Sequence, residues 1–210
     1  VQYLWNVSNE HNHGNPRRDR RRQLQQTLEA IDRMPENDGF GEYGIDGAFV
    51  QRFANGLRRG GDRDHKDAVL THCREGVNRE GRAYAVMYDL SGLPSGGIET
   101  VIQDWKRLRD QMRIGSDSAY LHHRGKPLVA VWGVGFSDDR KYTLAECRTL
   151  IEYLKSDGCN VMLGIPSSWR ELKRDAIEDA SLHDVLQLAD VLSPWTPGRY
   201  RSPAEVLLGF

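Results

Sequence analysis

Residues 81–97 read "GRAYAVMYDLSGLPSGG", and the fold follows from how this stretch is read. The run "AYAVMYD" is apolar without alternation, which is the pattern of a strand covered on both faces, as in parallel sheets. It ends in a carboxylate, Asp89, and then in a glycine-rich turn. Beyond the turn, residues 98–112 carry apolar side chains at helical spacing. A doubly covered strand that feeds a helix is half of a βαβ unit. Asp89 has two readings: a turn former that bonds its own backbone two residues on, or a reacting group at the carboxyl end of a strand, where parallel α/β folds gather their chemistry.

The rest of the chain repeats the unit. Apolar runs also occur in "GIDGAFVQRF" from Gly44, "KPLVAVWG" from Lys126, "NVMLGIP" from Asn160 and "ADVLSPW" from Ala189, each bounded by Gly, Pro or Asp. Helical patterns fall between them, at residues 64–79, 98–112, 143–158 and 181–188. The third has Leu144, Cys147, Ile151 and Leu154 on one stripe, Gly158 as its stop, and Thr143 with Glu146 as a capping box. Alternation of this kind predicts a parallel sheet covered by helices. "VQYLWNVS" reads as a further strand. "RRDRRRQLQQTLEAIDRM" reads as a polar helix with Leu24, Leu28 and Ile31 on its apolar side. Its arginine run, Arg17 to Arg22, is read as a solvated helix start, because no aromatic stacking platform accompanies it.

Composition narrows the partners. The 210 residues carry 28% charged side chains of both signs and a net charge of -1, so no global field selects nucleic acid or an anionic membrane. No apolar run approaches the roughly 20 residues of a membrane span. Cys73, Cys147 and Cys159 form no C-x-x-C pair and read as ordinary thiols. "GLPSGG" lacks the lysine of a phosphate-binding loop, no G-x-S-x-G is present, no G-x-G-x-x-G stands at the first strand turn, and the histidine pairs His11 with His13 and His122 with His123 lack further ligands at metal spacing. No cofactor and no metal are expected.

The strand ends collect one kind of chemistry. They offer Gln51, Arg52 and Phe53; Tyr88 and Asp89; Trp132; Trp169 with Arg170; and Trp195, Arg199 and Tyr200. Indole faces stack on the C–H faces of sugars, and Gln, Arg, Asp and Tyr hydrogen-bond hydroxyls, so the set fits an apolar-walled site with a few placed polar groups.

The blocks "YGIDGAFVQRF", "AYAVMYDLSG", "HHRGKPLVAVWGVGF", "LGIPSSWR" and "DVLSPWTPGRY", in that order, resemble the barrel strands of the glycoside hydrolase family 99-like proteins, the group related to endo-α-mannosidase. Bacterial relatives of this kind are often labelled xylosidase or arabinosidase. The resemblance spans residues 43–200. It implies a (β/α)8 TIM barrel, a carbohydrate substrate, and a periplasmic or secreted habit in bacteria. In the endo-mannosidase members a segment similar to "HIEPY" supplies one carboxylate, and a glutamate three residues later supplies another. Here Asp89 stands at the first position and Gly92 at the second. By analogy Asp89 takes the base or nucleophile role, and the second carboxylate must come from elsewhere, since glycosidases generally flank the bond with two. Asp138 is the first choice, ahead of Asp139 and Glu171.

The sequence is therefore read as one domain over residues 1–210, with 1–42 its less certain segment, folded as a (β/α)8 TIM barrel that is incomplete in this chain. The expected function is hydrolysis of a glycosidic bond in a polysaccharide or glycan, with Asp89 and Asp138 catalytic. Gln51, Arg52, Tyr88, Trp132, Trp169, Trp195, Arg199 and Tyr200 are expected to bind the sugar. The alternative is a barrel that binds carbohydrate without cleaving it; a third option is an open doubly wound sheet.

Overall fold

The computed structural model describes residues 4–7 and 46–196. Six parallel strands run side by side in chain order: β1 (Leu4–Val7), β2 (Gly47–Phe53), β3 (Ala83–Asp89), β5 (Lys126–Trp132), β6 (Asn160–Ile165) and β7 (Val191–Pro194). The short β4 (His122–His123) pairs antiparallel with β5. Helices α1 (Gly60–Glu80), α2 (Ile98–Met112), α3 (Leu144–Ser156) and α4 (Ser181–Leu186) fill the crossovers.

Strand order settles the architecture. A doubly wound sheet reverses its order at a switch point; this one never reverses. With right-handed crossovers, sequential order puts every helix on the same side of the sheet. That is the winding of a (β/α)8 barrel, of which the described residues form an arc of six parallel strands.

The two faces of the arc differ in dryness. Side chains in register across a parallel sheet point the same way, so Ala48, Val50, Tyr84, Val86, Val129, Val131, Val161 and Leu163 share the helix side, and all are essentially buried. Interior positions such as Gln51, Phe53, Trp132 and Met162 are only half-buried. Among the described residues, no helix is long and apolar enough to cross a membrane.

Most elements lie where local chemistry puts them. In α3 the Thr143 side chain accepts from the Glu146 N–H at 3.2 Å while Glu146 Oε2 accepts from the Thr143 N–H at 2.8 Å, the expected capping box. Helix α1 starts four residues ahead of the expected 64, at Gly60 and Gly61, two poor helix formers that hid its first turn. The hairpin of β4 with β5 escapes notice because its turn is Arg124-Gly125, both at positive φ, instead of the usual Asn-Gly. The basic segment from Arg17 lies outside the described residues.

Candidate active site

Asp89 ends β3 facing the barrel interior and is buried. Its two oxygens have separate duties. Oδ1 accepts the Ser91 N–H at 2.8 Å, which is the expected Asx turn, and Oδ2 accepts Gln51 Nε2 at 2.6 Å from the neighbouring strand. The turn-former reading holds for one oxygen; the other faces the interior, where Gln51 donates to it.

Trp132 lies level with Asp89 on β5. Its ring meets Trp195 with centroids 4.4 Å apart and Phe136 at 5.0 Å. Trp195, 38% exposed, is the large apolar side chain most open to solvent among the described residues. Trp132 can lie flat on the sheet because its partner on β6 is Gly164: a Cβ there would overlap the indole edge at Cε3. A Gly164→Ala chain is expected to lose about 1–3 kcal/mol through overpacking and to separate the tryptophan pair. Urea unfolding and the near-UV dichroism of the indoles check both effects.

Arg52 and Tyr88 correct the expectation. Alternation along a strand sends residues 51 and 52, or 88 and 89, to opposite faces. Arg52 is wholly buried on the helix side, where Nε and Nη2 grip Asp104 of α2 at 2.9 and 2.8 Å and Nη2 reaches Asp67 of α1 at 2.9 Å. The Tyr88 hydroxyl donates to the same Asp104 at 2.9 Å. Neither side chain faces the interior, so neither orients a sugar hydroxyl there. Burial, with the adjacent Asp104 charge, pushes the Tyr88 phenol well above its ordinary range. Burial opposes the Arg52 charge, but Asp104, Tyr88 and Asp67 outweigh it and raise its pKa.

This cluster was legible in part. On α2, Asp104 sits three residues after Val101 and four before Leu108, on the stripe that must face the core. A carboxylate on such a stripe calls for a buried cation.

Asp138, expected as the second carboxylate, is instead engaged on both oxygens by Arg140, at 2.6 and 2.8 Å, and is exposed. Arg140 also donates to the Tyr142 hydroxyl at 2.7 Å and approaches Ser91 Oγ at 3.4 Å. The Tyr142 hydroxyl in turn donates to the Gly133 carbonyl at 2.7 Å. Arg140, which the sequence reading passed over, thus braces the loop after β5 against the turn that follows Asp89. A cavity of about 350 Å³ opens beside this brace, walled by Phe136, Ser137, Tyr142, Cys147 and Glu178; Asp89 and Trp195 do not line it.

Trp169 stands apart from the other two tryptophans. Arg170 stacks on its ring at 4.4 Å, and His183 of α4 meets its edge. Its loop is tied down by Asp175, which accepts from Ser167 N, Ser167 Oγ and Ser168 N. Arg199 and Tyr200 lie outside the described residues. Burial pushes the thiols of Cys73 and Cys147 up to about 12 and that of Cys159 to about 11, so all three are held as thiols near neutral pH.

No family model and no curated protein matches the sequence. Among solved structures, the chain is similar to two of the family 99 endo-alpha-mannosidase from Bacteroides thetaiotaomicron, one of them in complex with bis-tris-propane. Both are 10% identical to it, with TM-scores of 0.37 and 0.36. The likeness covers 86% and 81% of this chain, and 72% and 66% of those.

Proposed function

We propose that this chain forms part of a glycoside hydrolase-like barrel that acts on a glycosidic bond of a polysaccharide or glycan, with xylan- or arabinan-type chains as the substrate class. The observation that carries the reading is the pairing on one interior face of a buried, doubly held carboxylate, Asp89, with the Trp132 ring one strand away and the Trp195 ring packed on it from beyond β7. In this reading the indoles take the C–H face of a pyranose or furanose ring. Asp89 serves as base or nucleophile, and the chain's own side chains supply the chemistry without a cofactor.

A second reading, binding without cleavage, is favoured by a specific contact. Asp138 spends both oxygens on Arg140 instead of standing free to deliver a proton.

Turnover and binding separate the two. The chain is assayed against aryl glycosides and against xylans, arabinans and mannans. Release of reducing ends supports the hydrolase, whereas saturable binding with no release supports the binding barrel. In either case Trp195→Ala is expected to weaken saccharide affinity by about tenfold, from loss of the ring face and of a pair worth roughly 0.5–1.5 kcal/mol. Affinity unchanged in that variant would remove Trp195 from the sugar site.

A further inference from the structure

We infer that Gln51 is a positioning residue for Asp89, and not a ligand of the substrate; the inference rests on the reading of Asp89 as the reacting carboxylate. A carboxylate on a single flexible bond needs two fixed donors to hold its plane. Asp89 has one from its own turn, the Ser91 N–H at 2.8 Å, and one from the next strand, Gln51 Nε2 at 2.6 Å. An ionised carboxylate only accepts, so Asp89 dictates which end of the Gln51 amide faces it.

The other end of that amide shows what the arrangement serves. Gln51 Oε1 is buried and has no hydrogen-bond donor among the described residues. An orphaned buried acceptor is destabilising, so this glutamine gives the fold less than an apolar side chain of its size would. Its remaining contribution is direction at Asp89. The strand beneath it is firm: the next residue, Arg52, is clamped by Asp104 and Asp67, and the register sets Arg52 against Tyr88, which the same Asp104 holds. A donor on so rigid a base can fix the carboxylate within the tolerance that catalysis demands, where a misplacement of about 1 Å lowers the rate by about 10²-fold.

The test uses the full chain with Gln51→Met, which keeps the side chain's length and apolar stem but cannot donate. It is assayed on whichever aryl xyloside or arabinoside the wild type cleaves, with the thermal midpoint measured alongside. The expected result is a kcat lower by about 10²-fold, a KM within about twofold, and a midpoint equal to the wild type's or above it. A purely structural glutamine would instead lower the midpoint and leave the kcat of the folded fraction intact; that outcome, or an unchanged kcat, overturns the inference alone. A wild type that cleaves no substrate overturns the hydrolase reading first, and the inference with it, because no reaction is then left to position. As a check independent of turnover, the Gln51 side-chain amide resonances are expected to shift in Asp89→Asn, and identical resonances would also overturn the contact.

Discussion

An Asp89→Asn chain is expected to fold like the wild type and to lose about 10²–10⁴-fold in kcat/KM, the usual contribution of a positioned acid or base. The fold survives for a local reason. The substituted amide keeps an oxygen for the Ser91 N–H, and its nitrogen meets Gln51, whose own amide turns over to present Oε1. One hydrogen bond replaces another, and one unpaired atom replaces another, so the net change stays within the 0.5–1.5 kcal/mol of an ordinary hydrogen bond. What disappears is the charge, and with it any base or nucleophile. Steady-state rates and a thermal melt on the same preparation decide the matter. Undiminished turnover would take Asp89 out of the reaction. A collapse in melting temperature would make it a turn former first.

Asp104→Ala is expected to do the reverse, with its main effect on stability. Among the described residues, the substitution leaves Arg52, wholly buried, with only the Asp67 oxygen at 2.9 Å, and it strips the Tyr88 hydroxyl of its acceptor. Breaking a buried ion pair from one side costs about 3–5 kcal/mol, a large share of the roughly 5–15 kcal/mol that holds a domain folded. Urea midpoints measure the loss directly. The joint replacement Arg52→Met, Tyr88→Phe and Asp104→Leu is expected to recover most of it, because apolar groups of similar size leave neither a buried charge nor a buried hydroxyl to compensate. A single variant that melts like the wild type would show that the cluster is solvated and not buried. The same cluster gives stability a pH dependence. Burial works against the charge of Asp67, but hydrogen bonds from Arg107 and Arg52 and the charges of both outweigh it, so its pKa lies below the ordinary carboxylate value. Stability from a depressed carboxylate is complete above the unfolded pKa, about 3.9, and is lost as pH falls through the folded value. The urea midpoint should therefore decline as pH drops below about 4.

The two predictions share a geometry. Gln51 and Asp89 lie on the interior face, and Arg52 and Tyr88, one residue from each, lie on the helix face. A single carboxylate, Asp104, ties the back of both strand ends together. The site's front is thus as rigid as the ion cluster behind it.

Strands, helices and their alternation were legible in the sequence because they depend on local quantities. An apolar run without alternation is covered on both faces wherever it sits, and Thr143 with Glu146 caps a helix through atoms three residues apart. The end of β3 at Asp89 and the span of α2 at 98–112 follow from that kind of information. The partners of the polar side chains do not. Residues 51 and 52 are equally polar and adjacent, yet one supports the candidate site and the other a buried ion cluster; the face each takes is set by strand register and by where α1 and α2 place Asp67 and Asp104. Likewise Asp138 met Arg140 two residues away, a pairing that the folding of one loop decided. The sequence by itself determined the main strands and helices and their alternation. Only tertiary structure decided how the charges at those ends are paired, because the partners of Gln51 and Arg52 lie 38 and 52 residues away along the chain and are chosen by packing.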